Sequence, residues 1–311
     1  MRYTVELEGA ERRQIALQLP LAWEILETLD KGAKRALRLH TQGRSELTGR
    51  YPSALAPAAA ITLIGAQEVP ARLTLRAPRI EESISGADLL RDVPKDASAV
   101  GLYADAVRDA LEGRSDSDNL DEGLVAGFKD LEGVFTRGVE SVRITNGRPD
   151  AVPVEIRQDQ LDDLRNFRLR HPSPRTMRLV GKLDVIRHSD NAFTLIVGGA
   201  AIRGAAAPNV ELPLQAFYGQ TVIMSGVVHF KGSGRVLRFE ARDVAAPMPH
   251  ELSLWSGEPR PLFGTGSGVD TRKPQGARSG LNAVYGRWPI PGSDAEVAEA
   301  IASVSAPTES A

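Results

Sequence analysis

Over Thr176 to Arg187, Met177, Leu179, Leu183 and Val185 fall on alternate positions, the period of a strand with one buried face. Gly181 interrupts the run. A glycine inside a strand marks a bulge or sharp bend, which a small closing sheet needs. His188 to Asn191 supplies turn residues, Ala192 to Val197 forms a second run, and Gly198-Gly199 turns the chain into a short third strand around Ala201 to Arg203. Between Pro208 and Gly219 the period lengthens, with Val210, Leu214 and Phe217 at helical spacing and Gly219 placed where a helix would stop. Two further alternating runs, Thr221 to Phe230 and Arg235 to Val244, flank Lys231-Gly-Ser-Gly234, a hairpin signal because glycine tolerates positive φ. The predicted unit is a closed five-stranded sheet over about Arg175 to Ala246. Val180, Leu183, Leu195, Val222, Val227, Leu237 and Phe239 are its expected interior.

Ahead of this unit, residues 1–170 read as an α+β domain. Strands are predicted at about Arg2 to Glu8 and Gln14 to Leu19, followed by a helix at Leu21 to Leu29 whose Leu21, Ile25, Leu26 and Leu29 share one face behind Pro20. Strands at Ala59 to Ile64 and Ala71 to Leu75 come next. Helices follow at Ala97 to Leu111 and Leu120 to Phe135, divided by the polar turn Gly113 to Asp118, with Asp118 as a candidate N-cap. Val139 to Ile144 and Val152 to Ile156 return to strand character, and Asp159 to Leu169 is a charged bridging helix.

The order strand, strand, strand, short helix, strand, strand, with the Val180-Gly181-Lys182 and Ser225-Gly226-Val227 patterns, resembles the OB-fold. That resemblance covers residues 171–246 and implies a barrel whose exposed face and loops bind oligonucleotides or oligosaccharides. Charge changes the picture a little. From Ser173 to His250 nine Lys and Arg stand against five acids, within a chain whose net charge is −2. A local basic excess in an acidic protein is the footprint of a polyanion partner, and single-stranded nucleic acid is the one the resemblance implies. Lys182, Arg203, Lys231, Arg235 and Arg238 are the candidate nucleic-acid contacts. Phe193, Phe230 and Phe239 sit among aliphatic alternation and read as core rather than as stacking platforms.

Beyond Pro247, proline, glycine and serine become dense, so residues 247–280 are expected as a flexible linker. Residues 281–304 combine an aromatic segment with a short helix begun by Ser293 or Asp294, the composition of a docking peptide. Tyr285, Arg287, Trp288 and Pro289 are its candidate partner contacts, made either on another protein or on the chain's own N-terminal domain. Gly286-Arg-Trp-Pro289, then Gly292-Ser-Asp294 and Glu296, is similar to a terminal motif of small bacterial proteins often encoded beside PIN-domain toxins. Ile290-Pro291 departs from that motif. The resemblance implies an antitoxin-like or operon-accessory role with such a toxin as partner.

At 311 residues, 42% apolar and 25% charged, the chain can hold more than one core. No apolar run approaches the roughly 18 residues of a bilayer span, so no membrane association is expected. The N-terminus lacks a signal-peptide core, which points to the cytoplasm. The absence of cysteine excludes disulfides, thiolate metal sites and cysteine nucleophiles. The five histidines lack metal-ligand spacing, and Glu81-Glu82, Asp116, Asp118, Asp121-Glu122 and Asp162-Asp163 read as turns, caps and solvated faces. Gly264-Thr-Gly-Ser-Gly268 has neither the preceding strand nor the following helix of a phosphate loop. No cofactor or catalytic motif is expected. The sequence reads as a non-enzymatic bacterial partner-binding regulator, with a nucleic-acid-binding accessory or a motif-free enzyme as the alternatives.

Overall fold

In β1 (Arg2–Glu8), Tyr3, Val5 and Leu7 are buried while Thr4, Glu6 and Glu8 are not, so this strand packs one face only. The structure is a computed structural model that describes residues 1–9, 15–46, 51–84, 93–94, 96–148, 152–187, 192–207, 210 and 212–262. β1 is the middle strand of an antiparallel sheet. β2 (Thr62–Gln67) and β3 (Arg72–Arg76) lie on one side of it, and β4 (Ser141–Asn146) and β5 (Val154–Arg157) on the other, in the order β2-β3-β1-β4-β5. The helices are α1 (Leu19–Gln42), α2 (Ala56–Ala59), α3 (Ile80–Ser83), α4 (Ala99–Leu111), α5 (Glu122–Ala126), α6 (Lys129–Phe135) and α7 (Leu161–Arg170). They close a core in which Val5, Leu37, Leu73, Val107 and Phe128 are buried together.

Three elements of the α+β part differ from expectation. The predicted strand before α1 is not one; residues 15–18 make isolated hydrogen bonds, Ala71 N to Ile15 O and Leu17 N to Glu68 O. The helix that follows continues through Asp30-Lys31-Gly32 to Gln42, because Ala33, Ala36 and Leu37 extend its buried face. Gly32 is required there, since a Cβ would lie 2.4 Å from the Tyr103 ring of α4. The predicted helix from Leu120 to Phe135 is two, α5 and α6, parted at Gly127. Asp121, not Asp118, caps α5 by accepting from Leu124 N at 2.8 Å.

The second half is a closed barrel of five strands: β6 (Arg175–Arg187), β7 (Ala192–Val197), β8 (Ala200–Ala206), β9 (Thr221–Phe230) and β10 (Val236–Ala245). β6 pairs antiparallel with β7 and β9, β7 with β8, and β9 with β10, while β8 and β10 close the barrel in parallel. This mixed connectivity is compatible with an OB-like barrel. Its interior holds Leu179, Leu183, Leu195, Val222, Val228, Phe230 and Phe239, with Phe193 and Phe239 edge to face at 6.2 Å.

Four of the expected interior residues are inside; Val180, Val227 and Leu237 are not. Apolar residues sit next to each other at Leu179-Val180 and Val227-Val228, and a strand can turn only one of each pair inward. Leu237 packs instead against the core of the α+β part. The predicted helix between β8 and β9 is reduced to a 3-10 turn at Leu214–Phe217. Pro213 stands immediately before it and has no backbone N–H to continue a longer helix.

Part of the expected linker is structured. α8 (Pro249–Leu254) starts on a proline, where the missing N–H costs nothing, and Val180 N donates to Trp255 O at 2.8 Å. Arg175 donates to Arg260 O at 3.1 Å. Residues 263–280 and the predicted motif at 281–304, with Tyr285, Arg287, Trp288 and Pro289, lie outside the described residues. All described residues belong to one compact unit, Met1–Ser267.

Candidate functional site

The outer face of the barrel is set by strand register. On β7, Thr194 lies opposite Val185 of β6 and Arg203 of β8; on β10, Arg238 lies opposite His229 of β9. Phe239 pairs with Gly204 in the parallel ladder, which brings Arg238 beside Arg203. One row across the barrel therefore reads Val185, Thr194, Arg203, Arg238, His229. The next reads Arg187, Ala192, Ala205, Glu240, Val227. Ala192, Thr194 and Ala205 make a low floor, and long cationic side chains stand around it.

Against this face lies the end of α1. Together they bound an open cleft of about 1600 Å³. Among the described residues six arginines line it: Arg38 and Arg44 from the α1 side and Arg187, Arg203, Arg238 and Arg242 from the barrel. Among the described residues of the lining, the carboxylates that oppose them are Glu46, Asp118 and Glu240.

The deep end of the cleft is a buried polar junction. Arg238 donates to the carbonyl of Gln42, one of the last-turn acceptors that α1 cannot satisfy internally. Gly43 follows at φ +69°, and a Cβ there would fall on the Arg238 guanidinium, so both the backbone angle and the close approach demand glycine. Burial, then the like charge of Arg44, pushes Arg238 down to about 10. Glu240 is 5% exposed and accepts from Arg44 Nη1 at 2.6 Å. Its carboxyl is held below the usual range, first by His229, whose Nε2 stands 3.8 Å away, and also by Arg44 and Arg238. Buried Asp121 accepts from Ser45 N at 2.7 Å and Ser45 Oγ at 2.6 Å, which fixes the turn that delivers Arg44.

The five sequence candidates are thus not equivalent. Arg203 and Arg238 are in the cleft, Arg203 exposed and Arg238 engaged in the junction. Lys182 is exposed on β6 beside Ile196, outside the cleft lining. Lys231 and Arg235 face the polar turn of the α+β part. Lys231 Nζ lies 2.8 Å from Asp118, and Arg235 Nη1 lies 2.9 Å from Asp116. Arg203 and Arg242 have no hydrogen-bond or ion-pair partner among the described residues.

Sequence reasoning counted Arg187 and Arg242 in the basic excess without naming them as contacts, and it missed Arg38 and Arg44. The signal was the basic end of α1, Lys34-Arg35 through Arg38 and His40 to Arg44, which stands out once the helix is read at its full length. Arg38 also lies over the Tyr51 ring, 4.7 Å from its centroid. Among the described residues no three His, Cys, Asp or Glu converge to hold a metal, and no helix is long and apolar enough to cross a membrane.

Comparison with protein-family models, with curated proteins and with solved structures found no match.

Proposed function

We propose that the protein is a nucleic-acid-binding accessory whose OB-like barrel receives a single strand in the cleft between its β7–β8 face and the end of α1. The observation that carries this reading is the pair Arg203 and Arg242, two cations at the rim of an arginine-lined cleft with no partner among the described residues. A cleft of about 1600 Å³ exceeds the roughly 300–1000 Å³ of small-molecule pockets, which favours an oligomeric ligand. The low floor of Ala192, Thr194 and Ala205 leaves room for a chain to approach the sheet. Phe193 is buried in the barrel, so contact here is to phosphate and sugar more than to stacked bases.

The test is fluorescence anisotropy of a labelled single-stranded oligothymidine of about twelve nucleotides, within the usual reach of one such barrel. Binding should weaken with salt, and Arg203→Glu with Arg242→Glu should lower the slope of log K against log salt by about 0.7 for each phosphate that is no longer neutralised. No change in anisotropy at tens of micromolar wild-type protein and about 50 mM salt would remove the proposal.

A further inference from the structure

The hairpin between β9 and β10 lies outside the cleft lining but adjoins it, since its Lys231 pairs with the cleft residue Asp118 and it follows directly on the Arg238–His229 pair of the ladder. Two of its donors bond one carboxylate of the α+β part, and the Lys231 ammonium stands 3.9 Å from the same group. Ser233 Oγ donates to Asp116 Oδ1 at 2.8 Å and Arg235 Nη1 to Asp116 Oδ2 at 2.9 Å. Lys231 Nζ donates to the Asp116 carbonyl at 3.2 Å and pairs with Asp118, itself a cleft residue, at 2.8 Å. Ser233 N donates to Ser115 O at 2.8 Å. A hydroxyl, a guanidinium and an ammonium arranged around one anion is also how a phosphate is held.

We infer that this hairpin is a second anion subsite of the cleft, one that takes a backbone phosphate of the bound strand, and that the Asp116 carboxylate occupies it in the free protein. The inference rests on the cleft reading above and adds to it a step of exchange: the polar turn releases Lys231, Ser233 and Arg235, and a phosphate replaces Asp116. The turn is suited to such exchange. Asp116 and Arg235 are both more than half exposed, and an ion pair at that exposure contributes little net stability.

The chain has no cysteine, so a reversible lock can be built cleanly. A Cβ on Gly232 would stand 3.4 Å from Ser115 Cβ, just below the roughly 3.5–4.5 Å that a disulfide spans, so a shift of a few tenths of an ångström admits the bond. Ser115→Cys with Gly232→Cys, oxidised, holds the hairpin on the turn; reduced, it frees it. With the same labelled oligothymidine, the reduced form should bind like wild type. The oxidised form should bind about eightfold more weakly at about 50 mM salt, with a slope lower by about 0.7, the counterion release of one phosphate.

Asp116→Asn with Asp118→Asn is the second arm. It should tighten binding, and the gain should disappear when Lys231→Ala and Arg235→Ala are added. Equal affinity and slope for the oxidised and reduced forms would overturn the subsite while leaving the cleft reading intact. No binding by any form, wild type included, would overturn both.

Discussion

Glu240 is the carboxylate on which the junction between the α+β part and the barrel depends. Three basic side chains surround it: Arg44 at 2.6 Å, the His229 imidazole at 3.8 Å, and Arg238, its neighbour but one along β10. Glu240→Ala leaves the partly buried Arg44 and Arg238 guanidiniums close together without their shared carboxylate, and breaking a buried pair by removing one partner costs about 3–5 kcal/mol. For a chain of this size that lowers the melting temperature by about 6–20 °C. Adding Arg44→Ala should return part of the loss, because it removes one of the two stranded charges. Circular dichroism of thermal and urea unfolding on the four members of the cycle measures the coupling. The sign with pH is fixed too. The folded carboxyl titrates below its usual 4.5, so its contribution is full above that value and is lost as pH falls through the folded pKa. A cost below about 1 kcal/mol would be that of a solvated pair, and would mean that the end of α1 does not stay seated on β10 in solution.

Two further outcomes follow from the core. Burial pushes the His171 imidazole below its ordinary 6.5, so its neutral form is the folded one, and stability should fall as pH drops below that value while the unfolded chain takes the proton first. Urea midpoints measured from about pH 7.5 to 5.5 should show this fall, and His171→Phe should flatten it; an unchanged profile in the variant would assign the titration elsewhere. In the barrel, Phe239 is fully buried against Phe193, so Phe239→Ala should cost about 3–5 kcal/mol by urea denaturation, and a loss under about 1 kcal/mol would mean the barrel is not packed as described.

Much of the barrel is legible in sequence because its information is local. Alternation over Thr221 to Phe230 and the glycine hairpin that follows specify two strands and their joint without reference to any other residue. Where two apolar residues adjoin, as at Leu179-Val180 and Val227-Val228, alternation cannot choose, and the choice falls to strands far away in the chain. Leu237 shows the same limit more sharply, since an apolar residue on a strand reads as barrel interior although it serves the neighbouring core. The end of α1 escapes a sequence reading because Asp30-Lys31-Gly32 looks like a stop; only the Tyr103 ring, brought in by α4, explains a glycine in mid-helix.

The basic residues show why charge counting finds a region but not a site. Nine cations between Ser173 and His250 look alike in sequence, yet the partners of Lys231 and Arg235 lie more than a hundred residues upstream on the turn at Asp116 and Asp118. Arg238 is drawn to the end of α1 by a helix carbonyl with no internal partner. What remains for a ligand is decided by subtraction, and that subtraction needs the fold. It leaves Arg203 and Arg242 on the cleft, with no partner among the described residues. The set of barrel cations with no partner among the described residues is therefore smaller than its net charge suggests, and Arg203 and Arg242 among them stand on the face that a second structural element turns into a groove. A surface of scattered cations holds counterions weakly and everywhere. Cations gathered in a groove with low-dielectric walls focus the same charge on one path, which is what a single strand requires to be held along its backbone.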